Sequence, residues 1–96
     1  MQLREKKEIL RDIKKQIKEG ALDTAISQLS QYIQLNTNDD EPYYLLGNAY
    51  RKQGNWQLAL NNYLEAIERN PESPAVQAHQ MMMDILNFYN KDMYNQ

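Results

Sequence analysis

Residues 43–71 read YYLLGNAYRKQGNWQLALNNYLEAIERNP, and this stretch decides the fold. Tyr43, Leu46 and Tyr50 recur at helical spacing, and so do Leu60, Tyr63, Leu64 and Ile67. Apolar residues at such spacings mark one buried helical face. Between the two faces lies Gln53-Gly54-Asn55. Gly54 is placed to close one helix and Asn55 to cap the next. Gly47 and Ala59 are small and lie inside the helices, where glycine costs about 1 kcal/mol relative to alanine. A packing reason for Gly47 follows, with two antiparallel helices approaching closely at Gly47 and Ala59.

The same stretch carries a family resemblance. Tyr43, Leu46, Gly47, Tyr50, Ala59, Tyr63, Ala66 and Pro71 resemble the signature of the tetratricopeptide repeat, a unit of about 34 residues. Tyr43 stands where that family most often has Trp, and Tyr63 where it often has Phe. Both replacements keep a large aromatic side chain. A shift by one repeat length lays Gly20 on Gly54, Leu22 on Trp56, Ala25 on Ala59, Leu29 on Tyr63, Ile33 on Ile67 and Asn36 on Asn70. The resemblance therefore extends to a degenerate first repeat. It departs at Ile13, in the place of Gly47, at Tyr32, in the place of Ala66, and at Thr37, in the place of Pro71. Moved by one residue, Leu10, Ile13 and Ile17 land on the slots of Tyr43, Leu46 and Tyr50, which predicts a turn one residue shorter.

Taken in order, the chain predicts five helices. The first runs over residues 3–18 with Leu10, Ile13 and Ile17 as its apolar stripe and Ile9 beside it. The second runs over 22–35 with Leu22, Ala25, Ile26, Leu29 and Ile33 inward. Asp39-Asp40-Glu41-Pro42 opens the third, with an Asp as cap and Pro in the first turn. The fourth runs from about Asn55 to Arg69. Ser73 caps the fifth and Pro74 takes its first position. Along the fifth, to Tyr89 or Asn90, Gln77, Gln80, Asp84, Asn87 and Lys91 form a polar stripe opposite Ala75, Ala78, Met82, Ile85, Leu86 and Tyr89. The resemblance makes this helix the cap of a short array. It implies an all-α, right-handed α-α superhelix of five antiparallel helices. One domain spans residues 1–90, with repeat one at 3–38, repeat two at 39–72 and the capping helix at 73–90. Residues 91–96 are expected to fray.

Composition narrows the function. Residues 1–19 hold seven Lys or Arg against four Asp or Glu, and residues 20–96 hold four against nine. The formal net charge is −2, and no basic patch is interleaved with aromatics as single-strand binding requires. No nucleic-acid partner is expected. With no cysteine, disulfides and thiolate metal sites are excluded. The start MQLREKKEIL lacks the apolar core of a signal peptide, and no apolar run reaches the length of a membrane span. No membrane association and a cytoplasmic location are the default expectations. His79, the only histidine, has no Cys or second His to converge with, so a packed helix residue is its plain reading. Asp39, Asp40 and Glu41 lack the loop spacing of a calcium site and read as capping residues. No nucleophile–base pair and no phosphate loop is visible. The chain reads as a non-enzyme with no metal, no catalytic residue and no cofactor.

What remains is binding. In the resembled family the first helix of each repeat lines a concave groove that takes peptides or partner helices. The resemblance places Tyr44, Asn48, Arg51 and Lys52 in that groove, with Lys7, Lys14 and Lys18 adding charge from the first helix. Asn48 matches the Asn that holds a peptide backbone in family members. Such a basic groove favours acidic partners or a chain-terminal carboxylate. The carboxylate clamp of one subset of the family also needs Lys and Arg on the fifth helix, which has neither on its inward face, so that clamp is not expected. The same cations also read simply as a solvated face. The alternative function is self-assembly. Met81 and Phe88 on one flank of the fifth helix, or Val76 and Met83 on the other, are expected to stay partly exposed and to pair with a second copy as a homodimer.

Overall fold

The computed structural model describes residues 2–36 and 38–94, with side chains for 5–36 and 38–89. Five helices and no strand form among the described residues: α1 (Gln2–Glu19), α2 (Leu22–Leu35), α3 (Glu41–Gln53), α4 (Trp56–Arg69) and α5 (Ala75–Tyr94). Each packs on its neighbour in sequence, and α1 also touches α3. The architecture is the all-α helix stack that the sequence implies.

The turns form for the anticipated local reasons. Gly54 ends α3 with φ +84°, and its N–H donates to the Arg51 carbonyl. Asn55 caps α4, its side chain accepting from Leu58 N at 3.2 Å. Ser73 Oγ accepts from Ala75 N at 3.0 Å. Helix α5 opens at Ala75, so Pro74 lies one residue outside its expected place. The cap of α3 is shared. Asp40 holds the boundary position without a side-chain bond to the helix N–H groups, its Oδ2 accepting from Asn70 Nδ2 at 3.4 Å, while Asp39 Oδ1 accepts from Glu41 N.

The first repeat corrects one expectation. Its turn is not shortened. Gly20 has φ +89°, Gly20 N donates to Ile17 O and Ala21 N to Gln16 O, while Gly54 N donates to Arg51 O and Asn55 N to Tyr50 O. These are the same bonds one repeat apart, so Ile13 does occupy the slot of Gly47. The substitution is matched by a second one. In repeat two, a Cβ on Gly47 would lie 2.9 Å from Tyr63 Cζ and closer still to two other ring carbons. In repeat one the equivalent pair is Ile13 and Leu29, both fully buried in one cluster. A small residue facing a large one has become two of middle size, with the same number of side-chain heavy atoms in the pair. The atoms nearest to Gly47 across the α3–α4 contact are those of the Tyr63 ring.

Two clusters make the core. Leu10, Ile13, Ile17, Ala25, Leu29, Tyr32, Leu45, Leu46 and Ala49 form the first, and Ala59, Tyr63, Ala66, Ala75 and Met82 the second. Half-buried Tyr44 and Tyr50 pack on both. Tyr32 is buried in the slot of Ala66, and its hydroxyl donates to Asp39 Oδ2 at 3.4 Å.

Three apolar residues expected inward are not. Leu64 faces solvent on α4, and Ile85 and Tyr89 do so on α5. Helix α5 has 20 residues against 14 in α4, a difference of roughly 9 Å at about 1.5 Å per residue. An antiparallel neighbour of 14 residues reaches to about Phe88 and leaves Tyr89 uncovered, whereas Ile85 lies within that reach and is exposed because α5 turns its Ala75, Ala78 and Met82 side to the core. The helix extends to Tyr94, past the expected end at Tyr89 or Asn90, since Lys91-Asp92-Met93-Tyr94 contains neither Gly nor Pro to stop it. Thr37, Asn95 and Gln96 lie outside the described residues.

Candidate functional site

Helices α1 and α3 run side by side in the same direction. Three contacts order them: Lys6 with Asp39 at 2.6 Å, Lys14 with Glu41 at 2.8 Å, and Lys52 Nζ donating to the Ile17 carbonyl at 3.0 Å. Between the helices lies a depression of about 350 Å³. It is lined by Lys14, Ile17, Lys18, Tyr44, Leu45, Asn48, Arg51 and Lys52. Of the seven residues assigned to a groove from the sequence, six line this depression, and Lys7 lines the neighbouring one with Leu10 and Arg11.

Their states differ. Lys52 is engaged by the last turn of α1, where its ammonium is a second donor to the Ile17 carbonyl beside Gly20 N and complements the negative end of the helix dipole, so it ties two helices together. Lys14 is paired with Glu41 across two half-exposed side chains, a contact of the kind that contributes about 0–1 kcal/mol. Lys18 and Arg51 are exposed. Tyr44 is half-buried and rests on Tyr63, ring centroids 6.1 Å apart and tilted by 39°. The Tyr63 hydroxyl donates to Asn48 Oδ1 at 2.6 Å. That bond fixes the amide and leaves its NH2 group to donate outward. Burial, opposed by nearby Arg51, pushes the Tyr63 phenol up to about 12, so the hydroxyl stays a donor at any ordinary pH.

Tyr63 is a site residue that the sequence reading placed only in the core. Its spacing to Asn48 crosses a turn, and nothing local signals the bond. The acidic cluster at the start of α3 is also explained. Asp39 bonds Lys6, Tyr32 and Glu41 N, and the Asp39 bond raises the Lys6 ammonium above its ordinary value. Among the described residues no three His, Cys, Asp or Glu side chains gather as metal ligands would. His79 is half-buried on α5. Among the described residues no helix is long and apolar enough to cross a membrane.

On α5, Met81 is 57% exposed and Phe88 62%. Val76 is exposed on the other flank, where Met83 is half-buried. Phe88 packs edge-on against Tyr89, centroids 5.8 Å apart.

A stack of helical pairs with a groove between their first helices defines a helical-repeat protein. Comparison agrees. A family model described as tetratricopeptide repeat matches residues 41–73, and one described as TPR repeat matches residues 16–54. The chain belongs to the tetratricopeptide repeat family, whose repeats generally mediate protein–protein interaction and are not catalytic. It is similar to the solution NMR structure of Bacteroides fragilis protein BF1650, at 59% identity and a TM-score of 0.80, over 91% of this chain and 89% of that one. No curated protein matches the chain significantly.

Proposed function

We propose that this protein is a single-domain, non-catalytic binding module that takes a peptide or partner segment in the depression between α1 and α3. The observation that carries the reading is the Tyr44–Tyr63–Asn48 assembly. A core tyrosine both supports an aromatic platform and locks the amide beside it. Preorganised donors of this kind lower the ordering cost of binding. Tyr44→Ala with Arg51→Glu removes the platform and one exposed cation while leaving every fully buried core side chain in place. Partner binding should be abolished with helicity unchanged by circular dichroism. Normal binding by that variant would place the partner on another surface.

A second reading rests on the exposure of Met81 and Phe88. Met81, Ile85, Phe88 and Tyr89 are all exposed and recur at helical spacing without a charge among them. Two copies of such a stripe can pair about a two-fold axis without opposing like charges along the seam. The two readings use different surfaces of the same chain.

A further inference from the structure

On α1, Lys7, Arg11, Lys14 and Lys18 follow the series i, i+4, i+7, i+11. At about 100° per residue they fall within an arc of roughly 60°. Glu5, Glu8, Asp12 and Glu19 fall in a separate arc of about the same width. The exposed surface of α1 is thus divided lengthwise into a basic and an acidic flank. The structure shows which way the basic flank faces. A depression of about 400 Å³ holds Lys7, Arg11 and Lys14, and the groove depression holds Lys14 and Lys18. The two share Lys14 and form one trough.

We propose that this basic strip binds an extended, acid-rich internal segment of a partner protein through side-chain carboxylates along its length. The proposal rests on the groove reading above and assigns the partner's chemistry. Length and spacing select the conformation. From Lys7 to Lys18 the helix rises about 16 Å. About five extended residues at roughly 3.3 Å each span the strip. Their alternate side chains, roughly 6–7 Å apart, match cations spaced about 5–6 Å along the ridge.

Charge selects the partner class. Lys7, Arg11 and Lys18 make no ion pair with any described residue, whereas Lys6 and Lys14 are paired with Asp39 and Glu41. The unpaired cations are those a ligand carboxylate would meet, and Arg11 offers it a bidentate fork. A chain-terminal carboxylate would need cations converging on one point, and these are strung out in a line. Asp39, Asp40 and Glu41 line the adjoining depression beside Lys14 and bound the strip on that side for any anionic partner. Bases would find a single half-buried aromatic, Tyr44, to stack on, where single-strand binding uses several.

The test is fluorescence anisotropy with an N-terminally labelled, C-terminally amidated hexaglutamate peptide at low salt. The wild type should bind, and raising salt from about 50 to 300 mM should weaken binding several-fold, because the pairs are exposed. Lys7→Gln with Arg11→Gln and Lys18→Gln should weaken binding at least tenfold with unchanged circular dichroism. Glu41→Gln, which releases Lys14, should strengthen it. No binding of the peptide by the wild type would overturn the proposal, as would equal affinity in the triple variant. Binding that requires a free C-terminal carboxylate, or tighter binding of a ten-nucleotide oligothymidylate, would overturn it as well. If the triple variant binds normally while Tyr44→Ala with Arg51→Glu does not, the groove stands and the strip falls.

Discussion

At the scale of single residues, Tyr63 links stability to the site. It fills the space over Gly47, supports Tyr44 and holds Asn48. Gly47→Ile should be strongly destabilising, since overpacking a tight core costs about 1–3 kcal/mol or more against a propensity gain under about 1 kcal/mol. Repeat one solves the same contact with Ile13 and Leu29. Adding Tyr63→Leu to Gly47→Ile should therefore recover part of the loss, with a coupling of about 1–3 kcal/mol in a double-mutant cycle by denaturant unfolding. Strict additivity would show that the two residues do not share one space. The phenol gives a separate test. Its folded value, about 12, lies above the ordinary 10 for tyrosine. A raised value contributes stability in full below pH 10, which is lost as pH climbs through 12. Tyr63→Phe should lower the melting temperature at pH 7, where a hydrogen bond worth about 1 kcal/mol is gone. The variant should then lose less than the wild type between pH 10 and 12. An identical decline in both would remove Tyr63 from the alkaline transition.

At the scale of elements, what the sequence announced was whatever local chemistry decides. The bounds of α2, the Gly54 turn, the Asn55 cap and the Ser73 cap were all legible, because each depends on residues within one turn. Contacts between distant elements were not. The Lys52 bond to the Ile17 carbonyl and the Tyr63 bond to Asn48 join residues on different helices, and no spacing rule reports them. Arg11 is a different case. Its place in the series Lys7, Lys14, Lys18 was visible and unread, since the family pattern draws attention to α3. The exposure of Tyr89 needed the length of α4 as well as that of α5, and the exposure of Ile85 needed the side of α5 that packs on the core. Among the caps, Ser73 carries the sharpest expectation. It is buried at the corner between α4 and α5, and its Oγ accepts from Ala75 N. Ser73→Ala should cost about 1–2 kcal/mol by denaturant unfolding, toward the upper end for a cap, because a buried donor loses its partner. A cost near zero would mean that water replaces the hydroxyl and that the corner is more open than its burial indicates.

At the scale of the molecule, the stack is elongated, 57 × 28 × 18 Å, and its helices contact mainly their sequence neighbours. Stability in such an array is a sum of neighbour terms, so it falls toward the ends. Tyr63 and Ala66 of α4 are buried between α3 and α5, whereas the part of α5 past Leu86 has no neighbour along one side. Native-state hydrogen exchange should find the highest protection in α3 and α4, and the lowest in α5 beyond Leu86. That gradient also separates the two functional readings. A second copy laid along Met81, Ile85, Phe88 and Tyr89 would cover the weakly protected end and slow its local opening. Protection over residues 81–89 should then rise as protein concentration goes from about 10 μM to several hundred μM, the range in which a modest interface fills. Met81→Glu with Phe88→Glu should abolish the rise and leave α3 and α4 unchanged. Protection over 81–89 that stays low at every concentration would rule out self-association through α5. In that case the trough between α1 and α3 would stand alone as the binding surface of the chain.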